Sequence, residues 1–283
     1  MLSSEVDAGS GETRLTPSRE AEMFEIGAWR DMLDAMPDDI AEMVGLDIAE
    51  IDGAICVAAP GIPSTEFNRC VGLGVDEPAT EEQVSAILAH FAERAVANAW
   101  VQVMDAARPA GLTGWLEARG LAPAGTGWMM FERGADSSDV AGEPGFAAEI
   151  GPDRAEEAAA VFRQGYGLPP FFDRCVAALV GRKGWRTYCV FDDGRIIATA
   201  FLFQIGARAQ LAGAGTIPEN RRRGAQTALM KLRIRDASLA GADVIQTHTW
   251  LPGPDAPNPS YANMLRCGFR PVHRRTNYST GEA

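Results

Sequence analysis

The run Thr216-Ile217-Pro218-Glu219-Asn220-Arg221-Arg222-Arg223-Gly224-Ala225-Gln226-Thr227 has the make-up of an anion site. Small apolar residues precede it, Leu211-Ala212-Gly213-Ala214-Gly215, and a helical pattern follows, Ala228-Leu229-Met230-Lys231-Leu232-Arg233-Ile234. The order is therefore strand, turn, helix, with Pro218 and Asn220 ending the strand. Gly224 falls where the helix begins, and its missing side chain lets a ligand approach the backbone. The first N–H groups of a helix have no partner within it, and the helix dipole favours negative charge there. With three consecutive arginines beside them, the chemistry is that of a cradle for phosphate or pyrophosphate on residues 222–227. The alternative is a basic helix start with no ligand.

Other phosphate loops do not fit. A P-loop needs Gly, four residues, then Gly-Lys-Ser/Thr, and no such run is present. Gly72-Leu73-Gly74 and Gly213-Ala214-Gly215 lack the third glycine of a dinucleotide-binding turn.

The run resembles the acyl-CoA loop of the GNAT acetyltransferase superfamily, which reads Gln/Arg, two residues, Gly, one residue, Gly/Ala. Arg221 and Gly224 match, while Gln226 stands where a small residue is usual. The flanking Thr227-Ala228-Leu229-Met230 and the downstream Arg266-Cys267-Gly268-Phe269 are similar to this family too. The resemblance implies that the strand before the loop splays from its neighbour and that the pantetheine arm of acetyl-CoA lies along Gly215, Thr216 and Ile217. The diphosphate would then rest on Arg222, Arg223, Gly224, Ala225, Gln226 and Thr227. A main-chain N–H near Ile217 would polarise the acetyl carbonyl. A neutral amine would attack the thioester directly, with acetyl-CoA as co-substrate and no metal.

Proton transfer needs a base for the amine and an acid for the thiolate. Family members often carry a Tyr four residues before the Gly of Gly-Phe; that position is Met264 here. Tyr261, one turn earlier, either faces the same gap or is an ordinary residue of an amphipathic helix. His248, near the carboxyl end of the next strand, is either the base or a structural histidine. Asn263, in Ser260-Tyr261-Ala262-Asn263, either binds the cofactor or caps the helix. Arg233 and Arg235 read as a solvated face. Tyr166, Phe171 and Phe172 either line the acceptor pocket or pack in the core.

The elements that must position these residues follow from periodicity. Residues 20–43 repeat apolar positions at three and four, broken at Pro37-Asp38-Asp39. Residues 48–51 and 54–59 alternate or run apolar around Asp52-Gly53, and residues 185–191 and 195–205 read as strands joined at Asp192-Asp193-Gly194, both hairpin signals. Residues 68–75, 100–104 and 127–132 read as strands, with helices over 80–95 and 112–119 between them. In the second half, helices are expected over 154–166, 171–182, 224–240 and 260–267, and strands over 208–216, 243–250 and 272–278. The two halves follow the same order, which reads either as one α/β module used twice or as two unrelated α/β domains, the repeat being the expectation. At the position of the phosphate loop the first copy has Asp76-Glu77-Pro78-Ala79-Thr80-Glu81-Glu82, which is acidic and lacks Gly. The expected fold is α/β, an α+β mixed sheet of two GNAT-like acyl-CoA acyltransferase modules in tandem. Its divisions are a loose start at residues 1–19, a copy without the CoA loop at 20–133, a linker at 134–145 and the cofactor-binding copy at 146–283.

Charge agrees with this division. The chain carries a net −12. The first 145 residues hold 8 Lys and Arg against 26 Asp and Glu, the rest 18 against 12. The basic half thus holds the loop, and the overall acidity disfavours nucleic acid as a partner. Five scattered cysteines without a Cys-x-x-Cys pair argue against a disulfide framework or a zinc site. No apolar run approaches the roughly 20 residues that span a bilayer, and the start has no signal-peptide pattern. A cytoplasmic N-acetyltransferase acting on a small-molecule amine or an amino acid derivative is expected, with no membrane partner and a homodimer left open. A protein N-acetyltransferase and a non-catalytic acyl-CoA sensor are the competing readings.

Overall fold

The structure is a computed structural model that describes residues 15–138, 146–253 and 256–281. The first half comprises α1 (Arg19–Asp34), α2 (Asp38–Val44), β1 (Asp47–Ile51), β2 (Ala54–Ala58), β3 (Arg69–Val71), α3 (Glu81–Glu93), β4 (Trp100–Met104), α4 (Leu112–Ala118) and β5 (Ala122–Gly134). The second comprises β6 (Ala147–Ile150), α5 (Ala155–Tyr166), α6 (Phe172–Ala177), β7 (Trp185–Asp192), β8 (Arg195–Ile205), β9 (Arg208–Thr216), α7 (Ala225–Leu239), β10 (Val244–Trp250), α8 (Pro259–Arg266) and β11 (Arg270–Ser279). The loose start at residues 1–19 falls mostly outside the described residues. Within it, Ser18 caps α1 by accepting a hydrogen bond from the Ala21 N–H, and Arg19 is already helical. Most of the linker expected at 134–145 also lies outside them.

Local chemistry sets the turns. Asp52 and Gly53 have φ of 46° and 82°, Asp193 and Gly194 47° and 77°, so both Asp-Gly pairs adopt the two-residue turn with positive φ that matches strand twist. Pro37 separates α1 from α2 because its ring cannot continue a helix.

The strands join in one mixed 11-stranded sheet, ordered β1-β2-β3-β4-β11-β5-β10-β9-β8-β7-β6. The two modules exchange their last strands. β5 of the first pairs antiparallel with β10 of the second, and β11 of the second pairs antiparallel with β4 of the first. β5 and β11 then pair with each other at the seam. This is why β5 runs longer than the strand expected at 127–132: both its edges are in use, each by an element of the other half. The parallel pairs are β3 with β4 and β9 with β10, each linked through a crossover helix.

Helix α1 crosses the seam and brings two carboxylates into it. Glu22 and Glu25 are each 1% exposed. Arg275 of β11 donates to Glu22 and Glu25, both at 2.8 Å. His273 Nε2 lies 2.8 Å from Glu22, and Arg69 of β3 lies 3.7 Å from Glu25 while its guanidinium covers the Trp29 ring. Burial alone would raise the Glu25 pKa, but Arg275, His248 and Arg69 outweigh it and bring the value down to about 2. Two arginines against two carboxylates leave this buried group charge-balanced.

Removing one carboxylate breaks that balance. Glu25→Gln is expected to cost about 3–5 kcal/mol in chemical denaturation at pH 7, since it strands buried arginine charge. Because the folded pKa lies below the unfolded one, the contribution of Glu25 is full above about pH 4.5 and disappears as pH falls towards about 2. The gap in stability between wild type and Glu25→Gln should therefore narrow over that interval. A gap independent of pH there contradicts the assignment.

Candidate functional site

β9 and β10 pair over only three positions, Arg208–Val244, Ala209–Ile245 and Gln210–Gln246. Beyond them the strands part, and the gap widens towards the N-terminus of α7. Gln246 Nε2 donates to Gln210 Oε1 at 3.0 Å, and Thr247 Oγ1 donates to the Leu211 carbonyl at 3.0 Å, closing the narrow end. Buried Arg233 of α7 donates to the carbonyls of Phe201, Ala212 and Leu229. It is 2% exposed, which corrects the expectation of a solvated face: the arginine satisfies carbonyls that the irregular strand leaves over.

At the wide end the chain turns into α7. Arg222 has φ of 64° and Gly224 of 83°. Two left-handed residues this close together turn successive N–H groups inward, the geometry of an anion-binding nest. Gly224 is the N-cap of α7, no side chain caps the helix, and its first turn holds no acidic residue. A Cβ on Gly224 would meet nothing within 4 Å, so the turn opens onto free space. Arg222 and Arg223 are exposed beside it, Arg223 lying 3.6 Å from Asp192. Arg221, exposed as well, donates to the carbonyls of Thr216 at 3.3 Å and Gly165 at 2.8 Å, and so splints the end of β9 to α5.

Ala225 is buried, and Gln226 and Thr227 complete the first turn of α7. The Gln226 side chain does not reach into the turn. Its amide donates to Ser260 Oγ at 2.7 Å and accepts from Asn263 at 2.8 Å. Asn263 also accepts from Arg266. Asn263 therefore neither caps α8 nor faces open space; the cap is Asn258, which accepts from the N–H groups of Ser260 and Tyr261. The departure from a small residue at 226 thus has a structural outlet, a bridge from α7 to α8.

Gly213 and Gly215 are explained by α5. A Cβ on Gly213 would come within 2.9 Å of the Phe162 ring, and one on Gly165 within 2.8 Å of the Gly215 and Thr216 backbone. The Ile217 N–H donates to the Ile197 carbonyl at 3.1 Å. That corrects the expected oxyanion donor, because this amide is already used by β8. The gap-facing amide is that of Ala214, which donates to the Tyr166 hydroxyl at 3.2 Å. Phe172 is 4% exposed and packs with Ile26 and Trp29 in the core, and the half-buried Phe171 is stacked on it.

His248 and Tyr261 lie on opposite faces of the sheet. Tyr261 meets Phe131 edge-on at 5.0 Å, and Phe131 pairs with Thr247. His248, the next residue, points to the other face, against Trp128 and 3.9 Å from Glu25. Burial lowers its pKa to about 4, with Glu25 opposing and Arg275 and Arg69 adding to the drop. Its Nδ1 is buried and has no hydrogen-bond partner among the described residues. Glu25 and Trp128 escaped the sequence reading; the one available signal was a pair of carboxylates at i and i+3 on an otherwise apolar helix face.

The corresponding gap in the first module is filled. β3 and β4 pair at two positions and part after Cys70. The Arg108 N–H then donates to the Gly74 carbonyl at 2.9 Å, and Ala79 donates to the Arg108 carbonyl at 2.7 Å. At the N-terminus of α3 the Thr80 hydroxyl accepts from the Gln83 N–H, and Glu81 and Glu82 occupy the first turn. The helix end is capped and acidic, so an anion is excluded.

Among the described residues no group of three or more His, Cys, Asp or Glu side chains is placed to hold a metal, and no helix is long and apolar enough to cross a membrane. Residues 132–253 match the family model described as an acetyltransferase (GNAT) domain. A search of curated proteins found no match. Among solved structures, the chain is similar to a GCN5-related N-acetyltransferase from Kribbella flavida, at 16% identity and a TM-score of 0.60 over 93% of this chain and 96% of that one. It is similar to another from Sphaerobacter thermophilus, at 15% identity and a TM-score of 0.59 over 94% of each. A tandem GNAT protein from the clavulanic acid biosynthesis pathway matches at 16% identity and a TM-score of 0.54, over 95% of this chain and 99% of that one. Likeness at these identities concerns the fold.

Glutamate at position 224 tests the turn. Gly224→Glu places a carboxylate at the helix N-terminus and is expected to weaken coenzyme A binding in calorimetry by at least roughly 10-fold. Melting should move by only a few degrees, the cost of about 1–3 kcal/mol for a side chain at positive φ. Unchanged affinity would place the diphosphate elsewhere.

Proposed function

We propose that this chain, a GNAT-superfamily acyltransferase, moves an acetyl group from acetyl-CoA to the amine of a small molecule or amino acid derivative by direct attack. The observation that carries the reading is the gap between β9 and β10, which opens onto the uncapped, positively charged start of α7.

The residues fit the group. A Cβ on Gly224 would meet nothing within 4 Å, and the exposed Arg222 and Arg223 add charge beside it. The main chain of β9 at Ala214 and Thr216 borders the gap along which an extended arm would run. When bound, acetyl-CoA supplies an activated acyl group. The sheet and α5 hold the gap in shape, so that positioning, rather than covalent chemistry by the protein, lowers the barrier.

His248 is the residue assigned to the amine proton. With burial lowering its pKa to about 4 it is neutral at pH 7, and its buried Nδ1 has no hydrogen-bond partner among the described residues. That low basicity, together with Tyr261 packing on Phe131, favours a second reading, a protein that binds acyl-CoA without turnover.

Acetyl-CoA at 100 times its Kd is expected to stabilise the native state by about 2.7 kcal/mol, raising the melting temperature by several degrees. A melting curve unmoved by saturating acetyl-CoA contradicts the proposal. Thiol release measured against a panel of amines separates the two readings, since tight binding with no turnover selects the second. If His248 takes the proton, kcat/KM rises with pH through about 4, where the imidazole becomes neutral, and this acid limb is absent in His248→Gln. A limb near the ordinary histidine value of about 6.5 excludes His248 in this environment.

A further inference from the structure

Tyr166 ends α5 at a particular place in the gap. Its ring packs on Phe162 with centroids 4.7 Å apart, and its hydroxyl accepts the Ala214 N–H at 3.2 Å. Phe162 in turn rests against the bare face of Gly213, where even a Cβ would come within 2.9 Å of the ring. The stack Tyr166–Phe162–Gly213 is therefore solid against the strand, although Tyr166 itself is 51% exposed.

The position along the gap matters. β9 is bulged here: Leu202 faces Leu211 and Ala200 faces Ala214, so β9 carries one residue more than β8 over this stretch. Ala214 lies between the narrow end, closed at Gln210, Gln246 and Thr247, and the wide end at Thr216. A linear ligand with its diphosphate on the start of α7 enters at the wide end. Ala214, whose N–H donates to the phenol, lies two residues further along β9 from Thr216.

We infer that Tyr166 sets the length of acyl group that the gap accepts. The phenol is the end wall, and Phe162 keeps it from yielding towards α5. Short acyl groups fit in front of the ring, whereas longer ones meet it. The hydroxyl anchors the wall to the strand through Ala214, but the bulk of the ring makes the selection. The inference rests on the reading of this gap as an acyl-CoA site.

The test is equilibrium binding by calorimetry of coenzyme A, acetyl-CoA and hexanoyl-CoA to the full chain and to Tyr166→Ala, Tyr166→Leu and Tyr166→Phe. Wild type should bind coenzyme A and acetyl-CoA within a few-fold of each other and hexanoyl-CoA at least roughly 10-fold more weakly, as a pocket that discriminates by methylene groups does. Tyr166→Ala should remove most of that penalty, read within the variant as the ratio of its hexanoyl-CoA to its coenzyme A affinity. Tyr166→Phe keeps the ring and should keep the penalty. Tyr166→Leu, shorter but still apolar against Phe162, should relieve it in part and serves if the alanine variant fails to fold. A penalty unchanged in the shortened variants, or absent from wild type, overturns the inference while coenzyme A binding leaves the site reading intact. Wild type that binds no coenzyme A overturns both.

Discussion

A parallel ladder that stops after three residue pairs leaves two lengths of backbone without partners in the middle of a sheet. Buried peptide groups must be paired, so the rest of the second module is arranged around that gap. Arg233 is buried to serve the carbonyls of Phe201 and Ala212. Thr247 reaches across to Leu211, Arg221 folds back onto Thr216, and Tyr166 receives the Ala214 amide. What these side chains leave open is the stretch towards α7, where no side chain caps the helix and the space beside Gly224 is free. Opposite charge and an extended shape are the ligand properties that such a stretch accommodates.

The first module shows the same constraint met without a ligand. Its strands part after Cys70, and the loop carrying Arg108 supplies the missing partners to Gly74 and Ala79. Thr80 and two glutamates finish the helix end that in the second copy stays uncapped. One copy is closed by its own chain and the other is open, while the exchanged strands β5 and β11 make the two a single sheet. The seam is locked by Glu22 and Glu25 of α1 against Arg275 and Arg69. The first copy therefore reaches His248 directly, since Glu25 and Trp128 are its neighbours.

Much of this was legible in the residues because it is local. Asp-Gly turns, the glycine at the start of α7 and the acidic replacement at Asp76 to Glu82 act within a few residues, and their types announce their conformation. The tandem mixed α/β fold followed from two similar orders of elements. The strand exchange was not legible, since a strand reads the same whichever module it joins, and β6, only four residues long, gave too little pattern to be seen. Arg233 was misread for a related reason: helical spacing cannot tell a buried arginine that serves carbonyls from one in solvent. The expected donor at Ile217 failed because a bulge upstream decides which amides turn towards the gap, and a bulge leaves no mark in residue type here. Tyr166 stood among three aromatic residues weighed equally; only the packing of Phe171 and Phe172 against Ile26 and Trp29 separates it from them.

The central claim is that the open gap and the uncapped turn together form the binding surface for a diphosphate on an extended arm. Amide chemical shifts followed by NMR during titration with coenzyme A test this residue by residue. The account predicts that shifts concentrate at Ala214, Thr216 and residues 222–227, with the amides of residues 72–83 unmoved. Shifts confined to the start of α3, or distributed away from both helix ends, would contradict it.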